Sequence, residues 1–267
     1  MTKTKHLAWL LCLKRCCVAE DEQTKTDIAH NMAVIQSRIQ QACLKAERDC
    51  DEVRLLLASK TVDVPRIEQA LSLMDKPLMG ENKVQELDSK GPEFKEPRPE
   101  VHFIGHLQSN KIKYVLRWAD CIQSVDRLSL AKKLQKRLEF EDKHIDVLIQ
   151  VNTSYEDSKF GVQPEKAVEL VKKVSQFDRI HIKGLMTIGL FSEDKDKVRA
   201  CFQRLRAIQQ EIQALQIPGV DMTELSMGMS GDLEIAIEEG ATIIRVGTAI
   251  FGKRQYPDSY YWNENNK

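Results

Sequence analysis

The sequence has no surplus of either charge: 40 lysines and arginines face 40 aspartates and glutamates in 267 residues. Without a net positive field, neither nucleic acid nor a membrane surface is favoured as a partner. There is no low-complexity segment, heptad run or short internal repeat, which excludes coiled coils and repeat arrays. The seven cysteines (Cys12, Cys16, Cys17, Cys43, Cys50, Cys121 and Cys201) are odd in number and lack CxxC spacing. That pattern argues against a disulfide framework and for reduced thiols in a cytoplasmic setting. No HExxH occurs among the six histidines, and His102 and His106 straddle a Gly-containing strand end instead of sharing a helix face, so no metal site is expected.

Long hydrophobic runs are missing too. Near the N-terminus, Lys3, Lys5 and His6 precede the apolar run Leu7–Leu13, which is far too short to span a bilayer. Lys14 and Arg15 separate it from Cys17-Val18-Ala19, a small-residue pattern that would otherwise resemble a signal cleavage site. Residues 1–26 are expected to be a disordered or loosely packed extension, residues 27–256 one folded domain, and residues 257–267 a tail. A hydrophobic content of 42% against 30% charged suffices for a full core without disulfides or metals.

What is present alternates. Short apolar or β-branched runs bounded by turn residues predict strands at Val53–Ala58, Pro77–Gly80, Val101–Ile104, Cys121–Val125, Asp146–Asn152, Ile180–Ile188, Glu224–Met227 and Thr242–Gly247. Helical spacing predicts helices at Val64–Met74, Leu128–Glu141, Pro164–Ser175, Asp194–Leu215 and Gly231–Glu239, with Asp27–Asp49 as a helix ahead of the first strand. Eight βα units in a chain of this length suit a single (β/α)8 TIM barrel, an α/β fold with an extra N-terminal helix. The alternative is a doubly wound open sheet. The Gly-rich dinucleotide fingerprint that would support it does not follow the first strand, where Ser59-Lys60-Thr61-Val62 stands instead.

Lys60 ends the run Leu55-Leu56-Leu57-Ala58-Ser59. An amine at the C-terminal tip of a buried strand can form a Schiff base with an aldehyde cofactor, and pyridoxal 5′-phosphate is the one whose phosphate the rest of the sequence accommodates. Ser226-Met227-Gly228-Met229-Ser230-Gly231 and Arg245-Val246-Gly247-Thr248 each turn from an apolar run into small or hydroxylated residues. Such turns expose backbone N–H groups toward an anion, and the loops after the last two barrel strands are a frequent phosphate site.

Six segments together carry a family resemblance: Ala58–Thr61, Gly80–Glu86, His102–Lys111, Gly184–Ile188, Ser226–Ser230 and Arg245–Gly252. In this order, from about Asp27 to Tyr256, the chain resembles the pyridoxal phosphate homeostasis protein family, also called YggS/PROSC. The resemblance implies one barrel related to the N-terminal domain of alanine racemase, and a role in cofactor supply and amino-acid homeostasis with no established enzymatic turnover. Carried over to this sequence, it makes Lys60 the residue bearing the covalent aldimine and Ser230, Gly247 and Thr248 the phosphate cradle. Arg245 would meet the pyridine nitrogen, while Asn82 and Met227 would line the ring pocket. Residues upstream of Asp27, and Lys83 where an aromatic residue is expected, depart from the pattern.

Three function classes compete on this reading. A carrier would bind pyridoxal phosphate reversibly and supply pyridoxal phosphate-dependent apoenzymes. An amino-acid racemase or decarboxylase would turn substrate over, and a scaffold would merely hold the cofactor. Racemases of this barrel type use a further β-rich domain, and the fifteen residues after Gly252, with Tyr256, Tyr260 and Tyr261, are expected to be too few for one. The expected assembly is a monomer or weak dimer.

Overall fold

Runs of Val, Ile and Leu with almost no exposed position belong to strands covered on both faces, which a parallel sheet wrapped in helices provides. The computed structural model, which describes residues 27–252, forms eight of them: β1 (Arg54–Ala58), β2 (Leu78–Glu81), β3 (Glu100–Phe103), β4 (Cys121–Val125), β5 (Ile145–Gln150), β6 (Ile180–Met186), β7 (Val220–Ser226) and β8 (Ile243–Val246). They pair in chain order, and β8 returns to β1 with Leu56 beside Arg245, closing an all-parallel barrel. The expected (β/α)8 architecture is the one observed. Residues 1–26 and 253–267 lie outside the described residues, and with them Cys12, Cys16, Cys17, Tyr256, Tyr260, Tyr261 and the tail expected at 257–267.

The outer layer consists of α1 (residues 27–45), α2 (Val64–Leu71), α3 (Val84–Lys90), α4 (Ile112–Val115), α5 (Leu128–Glu141), α6 (Pro164–Val174), α7 (Lys195–Ala214), α8 (Leu233–Glu238) and α9 (Thr248–Phe251). Between helices and strands lies one large apolar shell. Inside the barrel, Leu56, Leu78 and Ile243 form one small apolar cluster and Cys121, Leu148 and Met186 another. Gln123 on β4 and Ser226 on β7 are bonded to each other. Those strands are not neighbours, so the bond crosses the barrel interior.

Helix α1 buries Ile28, Met32, Ile35, Ile39, Ala42 and Cys43, spacings of three and four residues that make one continuous apolar face. It stops short of the expected Asp49. Glu47 turns left-handed at φ 53°, and the Asp49 side chain caps the next short turn by accepting from Asp51 N–H. The helix expected to reach Met74 likewise closes at Ser72. The strand expected at Glu224–Met227 begins earlier, at Val220, passing through Met222 with φ 50°. At Gly184 a Cβ would lie 1.8 Å from the Glu224 carbonyl oxygen, so only glycine allows β6 and β7 to approach where their register shifts. Among the described residues, no helix is long and apolar enough to cross a membrane.

Candidate functional site

Lys60 leaves β1 at the C-terminal mouth of the barrel, and charged side chains hold the peptides on both sides of it. Lys90 Nζ, on α3, donates to Ser59 O at 2.9 Å, Glu81 Oε1 at 2.6 Å and Glu86 Oε2 at 3.0 Å. Ser59 Oγ donates to the same Glu81 oxygen at 2.7 Å, and Thr61 N–H donates to Glu86 Oε2 at 2.6 Å. Thr61 sits at φ 66°, a conformation uncommon for a β-branched residue, and the Glu86 contact holds it there. Glu81 is completely buried. Burial pushes its carboxyl pKa up, while the Lys90 ammonium beside it pulls the other way. Its Oε2 finds no hydrogen-bond partner among the described residues.

A cavity of about 320 Å³ opens at this mouth, lined by Lys60, Asn82, Ser230, Arg245, Gly247 and Thr248 together with apolar Ala58, Ile104, Met186, Ile188, Phe191 and Met229, and Gly231. Its size falls at the small end of the range for small-molecule sites, roughly 300–1,000 Å³. Ser230 is presented by a turn in which Met229 N–H donates to Asp232 Oδ1 at 2.6 Å, and Arg38 of α1 donates to the Ser230 carbonyl at 2.9 Å. Burial raises the Asp232 carboxyl pKa, against the opposing effect of that Met229 N–H. Gly247 follows β8 and caps α9: its carbonyl accepts from Ile250 N–H and Phe251 N–H, both at 2.9 Å, and the N–H groups of Thr248 and Ala249 stand ahead of any acceptor the helix offers. A Cβ on Gly247 would stand 2.8 Å from the Ala58 carbonyl oxygen, so a side chain there would push the turn away from the strand that carries Lys60.

Arg245 supplies the charge on the β8 wall. Its Nη1 donates to Ser226 Oγ at 2.8 Å and its Nη2 to Thr187 O at 2.7 Å. Burial lowers the guanidinium pKa to about 10, with Asp232 opposing the shift. At neutral pH it stays a cation whose two bonded partners are both uncharged.

Six of the seven residues singled out by sequence line this cavity; Met227 does not. Successive strand side chains alternate sides, and because Ser226 reaches across the barrel interior, Met227 packs into the outer apolar shell, fully buried. Met229, two positions on, takes the place at the cavity wall. Met186, Ile188 and Phe191 were not singled out, although the first two lie within the Gly184–Ile188 segment of the resemblance. Phe191 carried no sequence signal: it belongs to the loop after β6 and is brought to the rim by the turn at Gly189, which has φ 72°.

Comparisons with known proteins show which proteins the chain is similar to. The family profile described as "Alanine racemase, N-terminal domain" matches residues 25–255. A protein of Aquifex aeolicus (strain VF5) named pyridoxal phosphate homeostasis protein is 42% identical over 222 residues, covering 83% of this chain and 96% of that protein. One of the same name from Escherichia coli (strain K12) is 38% identical over 233 residues, covering 86% and 98%. Among solved structures, PipY of Synechococcus elongatus PCC7942 with PLP bound is 33% identical with a TM-score of 0.71, covering 82% of this chain and 100% of that one.

Proposed function

Since this chain belongs to the pyridoxal phosphate homeostasis protein family, within the alanine racemase N-terminal domain group, we propose that it binds pyridoxal 5′-phosphate at the barrel mouth and holds it for supply to apoenzymes. One observation carries the reading: a single cavity brings together an amine at Lys60, hydroxyl and backbone donors at Ser230, Gly247 and Thr248, and a buried cation at Arg245. The residues fit the cofactor. Lys60 is the amine for its aldehyde carbon, and the Ser230 and Gly247–Thr248 turns are the donors for its phosphate. Asn82, Ile104, Met186 and Ile188 are walls for its ring. Met227 acts from behind the wall through packing. We place the protein in the cytoplasm, as a monomer or weak dimer, with pyridoxal phosphate-dependent apoenzymes as recipients.

Pyridoxal phosphate, when bound, supplies an aldehyde for an amine and a ring that withdraws electrons most strongly when its nitrogen carries a proton. Arg245 favours holding over turnover. With a pKa of about 10 it keeps its own protons at neutral pH, so it can donate a hydrogen bond to a ring nitrogen without handing over a proton as a carboxylic acid would.

Two measurements test this reading. Pyridoxal, which lacks the phosphate, should bind far more weakly than pyridoxal phosphate, because each charge-assisted bond from the cradle contributes roughly 1.5–3 kcal/mol; equal affinity would remove the cradle from the account. Incubating the loaded protein with each common L-amino acid should yield no racemised or decarboxylated product by chiral chromatography. Turnover on the order of 1 s⁻¹, as in ordinary enzymes, that vanishes in Lys60→Ala would establish a racemase or decarboxylase instead.

A further inference from the structure

We infer that Gln123, His102 and Glu100, none of which lines the cavity, are positioning residues for Arg245: a one-way chain of hydrogen bonds through the barrel interior fixes the Ser226 hydroxyl as an acceptor for the guanidinium. The inference rests on the pyridoxal phosphate reading and extends it to the side of the barrel away from the mouth.

The direction of every bond follows from what each group can do. Arginine only donates, so the 2.8 Å contact between Arg245 Nη1 and Ser226 Oγ makes the hydroxyl oxygen the acceptor. The one hydroxyl proton then goes to Gln123 Oε1, 2.6 Å away. With its carbonyl turned to Ser226, Gln123 presents its NH2 to His102 Nδ1 at 2.7 Å. His102 must therefore accept at Nδ1 and carry its proton at Nε2, which donates to Glu100 Oε1 at 2.7 Å. Glu100 closes the chain as an acceptor. Its carboxyl pKa is lowered, first by the His102 hydrogen bond and also by Arg54, whose Nη2 lies 2.5 Å from Oε2.

Turning the Gln123 amide over would break this order at both ends. Its NH2 would face Ser226, which already receives Arg245, and the hydroxyl proton would lose its acceptor. Its carbonyl would face the Nδ1 lone pair. Ser226 and Gln123 are completely buried and His102 is 1% exposed, so solvent cannot substitute for a lost partner. A cation at one end and a carboxylate at the other therefore select one orientation of the three neutral groups between them, and the Ser226 hydroxyl is held ready for Arg245.

Gln123→Met keeps the side-chain length and removes both hydrogen bonds. The readouts are the dissociation constant and visible absorption band of bound pyridoxal phosphate, with thermal unfolding and the binding of inorganic phosphate as controls. We expect roughly tenfold weaker pyridoxal phosphate binding and a displaced band, with inorganic phosphate bound as before, since the cradle is untouched. Ser226→Ala should do the same. The double variant should be no worse than Ser226→Ala alone, because contacts in one network do not add. Should Gln123→Met not fold, His102→Leu tests the next link: it should reproduce the effect, while His102→Asn, with a carbonyl acceptor in place of Nδ1, should restore most of the wild-type band. Wild-type binding with an unchanged band in Gln123→Met or His102→Leu, or effects that add fully in the double variant, would overturn the positioning role alone. A wild-type protein that does not bind pyridoxal phosphate would overturn the functional reading beneath it.

Discussion

Borohydride reduction of the protein loaded with pyridoxal 5′-phosphate should leave one phosphopyridoxyl group, on Lys60, and Lys60→Ala should carry none. The expectation follows from how Lys60 and Lys90 are used. Lys90 is fixed by hydrogen bonds to Ser59 O, Glu81 and Glu86, which account for all three of its N–H donors. Lys60 lines the same cavity as Arg245 and the Gly247–Thr248 turn, at the end of the strand that pairs with β8. Removing a strand-tip side chain sacrifices little packing, so Lys60→Ala should keep its thermal midpoint within a few degrees of wild type. Peptide mapping decides the matter, and an adduct found chiefly on Lys90 or on a surface lysine, with Lys60 unmodified, would remove Lys60 from its proposed role.

The second large effect is on stability. Lys90→Met should cost about 3–5 kcal/mol, the usual consequence of removing one partner of a buried ion pair and leaving the other charge behind. For a chain of this size that is on the order of 10 °C in thermal midpoint. The loss should depend on pH with a definite sign. Burial already raises the Glu81 carboxyl pKa above its ordinary 4.5, and removing the Lys90 ammonium takes away the largest opposing influence. A group whose folded pKa lies above its unfolded value contributes its full stability below the unfolded pKa and loses it as the pH rises through the folded one. Lys90→Met should therefore be nearest wild type at about pH 4–5 and fall furthest behind in alkaline buffer. Thermal unfolding across that range is the measurement. Adding Glu81→Gln to Lys90→Met should recover much of the loss at high pH, since no buried charge remains; a penalty that does not change with pH would show that Glu81 is not its source.

Much of this molecule can be read from local sequence, and the reason is geometric. β4 and α5 appear at the expected residues, Cys121–Val125 and Leu128–Glu141, because each has a strong period of its own: one apolar run between polar ends, and one long amphipathic repeat. α4 and α9, with four residues each, are too short to show a period, and neither they nor α3 were singled out. That Lys60 and the Gly247–Thr248 turn belong at the strand tips lining the cavity was legible for a related reason, since a strand tip and a Gly-Thr turn are local chemical patterns. The side on which each neighbour faces is not local. Met227 and Met229 look equivalent in sequence, and only the bond from Ser226 across the barrel to Gln123 establishes which of them can reach the cavity. The same holds for the charges behind Lys60 and for the chain from Arg245 to Glu100. Glu81 and Lys90 are nine residues apart, but Gln123 and Ser226 are separated by 103. Sequence by itself determined the period of the longer elements and the residue types at the strand tips. Closure of the barrel decided which polar groups meet in its interior, because only there do strands far apart in the chain come within hydrogen-bonding distance.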